Sequence, residues 1–180
     1  MEEPNAELVE KPDSLQEKTL QAAYDFARTV KSDVDPMLSG DLNVKICRSL
    51  TLASAKMLES IGHSPVIKVR INKFGNVYHY FLEDPELDIA IDYQPIAHQA
   101  GFVEDGAVLS DSLEKVIARE IFVLPLDSDE YKEISGVGRV EVRKEGRTAI
   151  DQKNFTRVAW SQVNLGKMPD TIREKLEALK

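Results

Sequence analysis

The sequence predicts an α+β fold, and three observations carry that expectation. Two helical runs come first, over 14–30 and about 43–61. Three strand-type segments follow over 65–71, 77–82 and 89–93, separated by turn residues and not by helices. A last helical run closes the chain over 169–179. Helices and strands segregated in this way suit a helix packed on an antiparallel sheet better than a parallel βαβ array.

Each element has its own local reason. Residues 1–13 are polar and acidic with two prolines, and read as a disordered acidic arm. Residues 14–180 then form one domain. Ser14-Leu15-Gln16-Glu17 fits a capping box that opens the first helix. Leu15, Leu20, Ala23, Phe26, Ala27 and Val30 recur at helical spacing behind it. Asp33, Asp35, Pro36, Ser39, Gly40 and Asp41 mark 31–42 as a loop.

The second helix carries Val44, Ile46, Leu50, Leu52, Ala53, Ala55, Met57, Leu58 and Ile61. These cover more than one stripe, so this helix should be buried on most sides. Gly62 suits the left-handed residue that ends a helix. The segments 65–71 and 77–82 flank the turn Lys73-Phe74-Gly75-Asn76 and read as a hairpin. Asp84-Pro85-Glu86 separates the second strand from the third, 89–93. Beyond it, 94–110 is loop-rich, 112–119 suits a short helix, and 121–124 and 139–143 suit strands. Pro169 is tolerated in the first turn of the closing helix.

Composition excludes several function classes. The formal net charge is −8, from 31 acidic and 23 basic residues. Nucleic-acid backbones and anionic membranes both call for a basic surface, so neither is expected as a partner. Arg139, Arg143, Lys144 and Arg147 alternate with Glu141 and Glu145 and read as a mixed solvated strand pair. No run reaches the ~18–20 apolar residues of a membrane span, and Met1-Glu2-Glu3-Pro4-Asn5 is not the start of a signal peptide. The expected location is cytoplasmic, with delivery by a dedicated secretion system the alternative. One cysteine and three histidines (His63, His79, His98) without paired spacing argue against a disulfide and against structural zinc. No cofactor is expected.

The chemistry-bearing residues stand in an informative order. Cys47, the single cysteine, lies near the start of the second helix; His79 lies in the second strand and Asp92 in the third. A thiol, an imidazole and a carboxylate so arranged can act as nucleophile, base and orienter. A helix N-terminus and a nearby imidazolium both favour the thiolate, the form of cysteine that attacks. His79 would pair with the thiol and later protonate the leaving group. Asp92 would hold the other ring nitrogen and fix the tautomer. Alternation places Val77, His79 and Phe81 on one face of their strand, and Asp88, Ala90 and Asp92 on one face of the next. The two polar side chains are expected to meet by both facing the cysteine helix.

Cys47, the small-residue helix through Ala53–Leu58, Gly62-His63-Ser64-Pro65-Val66, His79 in a strand, and Asp92-Tyr93-Gln94-Pro95 together resemble the transglutaminase-like cysteine peptidase superfamily. The resemblance covers about residues 43–95. It implies a papain-like core, with Cys47 as nucleophile, His79 as general base and Asp92 as orienting residue. It also implies attack on an amide of a peptide or protein substrate, through a thioester resolved by water or an amine. That is the activity of a peptidase, amidase or transglutaminase-type acyltransferase.

Other readings compete for the same residues. Asp88 is the main rival of Asp92, and Glu83 a more distant one. His63 reads as a turn residue, His98 as a loop residue, and Trp160 as core. A catalytically silent binding or scaffold module, a cell-wall amidase of the NlpC/P60 type, and an effector or toxin that modifies a host protein are the alternative functions.

Overall fold

The computed structural model describes residues 14–38, 46–94, 106, 108–142 and 170–178. It is α+β: helices pack on a five-stranded sheet ordered β4-β3-β2-β1-β5, with every neighbouring pair antiparallel. Helices α1 (Leu15–Leu38) and α2 (Ile46–Glu59) precede strands β1 (Val66–Ile71), β2 (Val77–Asp84) and β3 (Ile89–Tyr93). Then come α3 (Asp111–Ile117), β4 (Ile121–Pro125), α4 (Asp129–Gly136), β5 (Arg139–Val142) and α5 (Asp170–Glu177).

The capping box at the start of α1 is formed. The Glu17 N–H donates to the Ser14 hydroxyl at 3.2 Å, and the Ser14 N–H donates to the Glu17 carboxylate at 2.6 Å. The helix then runs to Leu38, well into the segment 31–42 expected as a loop. Pro36 falls in the last turn, where it removes one backbone hydrogen bond without stopping the turns before it. Lys31 lies at the start of this extension, and its ammonium pairs with Glu120 at 3.2 Å. Leu15, counted among the apolar positions, is 67% exposed. Ala22, Ala23, Phe26, Ala27 and Val30 supply the buried stripe instead.

Helix α2 is buried on most sides, as its composition predicts: Leu50, Leu52, Ala53, Ala55, Met57 and Leu58 are all buried. Burying each large aliphatic side chain of this set contributes about 1.5–3 kcal/mol. Gly62 adopts φ +88, and the His63 N–H returns to the Leu58 carbonyl at 3.1 Å to close the helix end.

Two cores lie on opposite faces of the sheet. On one face, α1 and α2 pack against Ile67, Leu82, Ile89, Ile91 and Tyr93. On the other, Phe81, Ala90, Phe122 and Leu124 pack against Leu113, Val116 and Ile117 of α3 and Tyr131 and Ile134 of α4. Helix α4 was not expected from the sequence. It is capped by Ser128, whose hydroxyl accepts the Tyr131 N–H, and it buries only Tyr131 and Ile134. The strands fall within two residues of the expected bounds, apart from β5, which is described only to Val142. The acidic arm at 1–13, residues 43–45 of the expected second helix, most of the 94–110 loop, His98 and Trp160 lie outside the described residues.

Candidate functional site

The β2–β3 ladder is short. It joins Leu82 to Ile91, Glu83 to Ala90 and Asp84 to Ile89, and goes no further. Beyond it, β2 stays paired with β1 down to Val77, and β3 stays paired with β4 up to Tyr93. The two strands therefore part at the end that carries His79 and Asp92. Helix α2 binds both sides of this opening. The Thr51 hydroxyl donates to the Tyr80 carbonyl of β2 at 3.3 Å, and the Ser54 hydroxyl shares a 2.5 Å hydrogen bond with the Tyr93 phenol of β3.

Across the opening, His79 Nε2 donates to the Asp92 carboxylate, at 2.8 Å from Oδ1 and 2.9 Å from Oδ2. Both side chains are fully buried. They alternate with Phe81 and Ala90, which places them on the α3/α4 face of the sheet. The expectation that both face the cysteine helix is therefore corrected: α2 packs its apolar side on the opposite face. The first turn of α2 nonetheless lies near the imidazole, at the end where the β2–β3 ladder has stopped. Cys47 is the second residue of α2, close enough to the His79 ring to favour its charged form electrostatically.

Burial opposes the charged form of His79. The Asp92 carboxylate outweighs it by charge and by hydrogen bonding, and Cys47 adds to this, so His79 is raised from 6.5 to about 9. The ring of Phe81 lies beside the imidazole, with centroids 6.4 Å apart and planes 16° from parallel. A thiol, an imidazolium held at neutral pH and a carboxylate thus meet in a site from which water is largely excluded. Such a site can stabilise a thiolate as an ion pair and can transfer a proton through one imidazole.

The rival carboxylates sit elsewhere. Asp88 is exposed, in a turn with φ 56, and its carbonyl accepts the Leu126 N–H. Glu83 pairs with Lys68 at 3.4 Å and accepts the Tyr131 hydroxyl. Burial, the Glu83 carboxylate and, less strongly, Asp92 push the Tyr131 phenol upward, which places α4 within electrostatic reach of the dyad.

Sequence reasoning missed two groups. Arg70 is fully buried on β1, in register with His79, and donates to the Ile134 and Val137 carbonyls at the end of α4. An arginine in a strand reads as solvated, so alternation held no sign of this. His63 lies in its predicted turn, but its side chain is fully buried and Nδ1 donates to Asp84 Oδ2 at 2.6 Å. The signal was diluted by Asp84-Pro85, which reads as a turn, whereas β2 continues through Asp84.

His63, Asp84 and Glu86 bring ligand-type atoms within 4.8 Å of one another. Ligands about 2.0–2.1 Å from a tetrahedral zinc stand roughly 3.3 Å apart. The 2.6 Å between His63 and Asp84 is instead the length of a direct hydrogen bond, and the Glu86 carboxylate accepts the Ser64 N–H at 3.0 Å. Burial raises the Asp84 carboxyl, with the His63 hydrogen bond opposing.

Comparison with family models, with curated proteins and with solved structures finds no match for this chain. No described helix is long and apolar enough to cross a membrane.

Proposed function

We propose that the chain is a cysteine-dependent amide-bond hydrolase or acyltransferase of the transglutaminase-like, papain-like type, working through Cys47, His79 and Asp92. One observation carries this reading: Asp92 holds Nε2 of a fully buried His79 while Cys47, in the first turn of a helix, engages the same ring.

The chemistry follows from the arrangement. The Cys47 thiolate attacks the amide carbonyl carbon, forming a C–S bond and an oxyanion. Backbone N–H groups in the first turn of a helix lack intrahelical acceptors, and the Cys47 N–H would be the donor to that oxyanion. The His79 imidazolium protonates the departing nitrogen, the C–N bond breaks and a thioester remains. Water or an amine then attacks the thioester, His79 takes its proton, and the Cys47 thiolate leaves. Asp92 keeps the ring in one tautomer and stabilises its charged form. The substrate class is a peptide or a protein side-chain amide.

The test is the rate of Cys47 alkylation by iodoacetamide against pH, in wild type and in His79→Ala. The reading expects fast alkylation with an apparent pKa well below ~8.5, slowed by the substitution. Alkylation with an ordinary thiol profile that ignores His79 sinks it.

One observation favours a different reading, a catalytically silent binding module. Cys47 is 6% exposed and His79 is not exposed at all. A free cysteine so placed commonly serves as a small buried hydrophobe. The same alkylation profile separates the two, because only the enzyme reading needs a reagent-accessible thiolate.

A further inference from the structure

His63 and Asp84 form a second buried imidazole–carboxylate pair, which the proposed reaction does not use. The pair joins the same two elements that present Cys47 and His79, but at their other ends. His63 is fastened to the end of α2. Its N–H reaches the Leu58 carbonyl at 3.1 Å, and the Ser60, Ile61 and Gly62 N–H groups bond to Lys56, Leu58 and Glu59. Asp84 is the last residue of β2. From Cys47 to Glu59 a helix rises roughly 18 Å at ~1.5 Å per residue. From His79 to Asp84 a strand rises roughly 17 Å at ~3.3 Å per residue. Helix and strand thus run over similar lengths, with Cys47 and His79 at one end and the His63–Asp84 hydrogen bond at the other.

Between these ends α2 meets the sheet through apolar side chains such as Leu50, Leu58, Ile67 and Leu82, and through the Thr51–Tyr80 and Ser54–Tyr93 hydrogen bonds at mid-helix, leaving the far end of the helix to be fixed by other contacts. Apolar burial is non-directional and resists axial sliding only weakly. A slip of one helical residue, about 1.5 Å, is enough to break a thiol–imidazole contact. The His63–Asp84 hydrogen bond is directional and short. The Ser64 N–H to Glu86 bond, at 3.0 Å, reinforces it from the next residue. A buried ion pair contributes little net stability compared with apolar side chains of similar size, and its best use is to specify geometry.

The geometry points to His63 and Asp84 as a positioning pair that fixes the axial register of α2 on β2 and thereby sets the Cys47–His79 separation. This rests on the reading of Cys47 and His79 as a catalytic pair.

The test follows the His79 imidazole by NMR titration in wild type, in Cys47→Ala, in the double variant His63→Leu/Asp84→Leu and in Asp84→Asn, with the melting temperature as a check of folding. Cys47→Ala should lower the His79 midpoint by removing the thiol's favourable interaction with the charged ring. The double variant should melt within a few degrees of wild type, yet titrate like Cys47→Ala and alkylate Cys47 at least tenfold more slowly at pH 7. Asp84→Asn keeps an acceptor for His63 and should retain the wild-type curve. A double variant that titrates and alkylates like wild type overturns this inference alone. Superimposable curves for wild type and Cys47→Ala mean there is no pair to position, and overturn both this inference and the proposed function. Should the double variant fail to fold, Asp84→Val, which removes the carboxylate and with it the bridge, decides in the same way.

Discussion

Asp92 bonds His79 at 2.8 Å from a strand that has stopped pairing with the strand of His79. Had the β2–β3 ladder continued in register, Phe81 would stand opposite Asp92, and His79 would lie beyond the end of β3 at Gln94. His79 and Asp92 are thus diagonal neighbours on one face of the sheet, a spacing that side chains of their length can span.

Asp92→Asn tests that relationship. The substitution removes the charge that holds His79 in its protonated form, and offers the ring a donor where it had an acceptor. The His79 midpoint should fall from about 9 toward the ordinary 6.5. Cys47 alkylation at pH 7 should slow at least tenfold. NMR titration of the imidazole together with alkylation kinetics checks both, and an unchanged midpoint would show that Asp92 does not govern the ring.

Global stability should depend on the same proton. In the unfolded chain His79 titrates near ~6.5, and in the folded chain near 9. The folded state then binds more protons between these values, so the stabilisation is fully present below about pH 6.5 and is lost as pH rises through 9. Urea midpoints from pH 6 to pH 10 should decline across that window. In a Cys47→Ser background, where the thiol cannot contribute, His79→Gln should flatten the decline. A decline equally steep in His79→Gln assigns it to other groups.

Much of this arrangement was legible in the residues. The turn at 73–76, the left-handed Gly62, the strand at 89–93 and the order Cys47, His79, Asp92 each follow from local chemistry, and the structure brings those three side chains together. What was not legible depends on long-range geometry. Alternation tells which residues share a face but not which face a helix covers, and a parting of strands leaves no local mark. Helix α4 has eight residues and buries two, too few for a helical period to stand out. His63 and Asp84 are 21 residues apart, and each has a satisfactory local explanation as a turn residue. Only their shared burial reveals the pair.

The seam between α2 and β3 should show the cost of an orphaned polar group. Ser54 and Tyr93 are both fully buried, and their hydroxyls bond to each other. Tyr93→Phe leaves the Ser54 hydroxyl without this partner and should cost about 1–3 kcal/mol. Adding Ser54→Ala removes the second hydroxyl and should recover part of that loss, giving a coupling of at least 0.5 kcal/mol in a double-mutant cycle. Urea denaturation of the four proteins measures it. Strict additivity would mean that the hydrogen bond carries no energy.

Arg70 gives the most localised expectation. Its guanidinium donates to the carbonyls of Ile134 and Val137, which are end-of-helix groups without intrahelical partners. A cation at a helix C-terminus is also favoured by the helix dipole. Arg70→Leu removes both effects and leaves two carbonyls in a poorly hydrated seam, which should cost about 2–4 kcal/mol. Arg70→Lys should recover less than half of this, because an ammonium lacks the planar fork that spans two acceptors. Hydrogen exchange locates the damage. Amides of α4 should lose protection first, whereas those of α2, on the opposite face of the sheet, should change only as far as global stability falls. Because α4 walls the face that holds Asp92, the His79 titration should also become more like that of a solvated imidazole. Uniform loss of protection across both helices would instead make Arg70 a general core residue without a particular hold on α4.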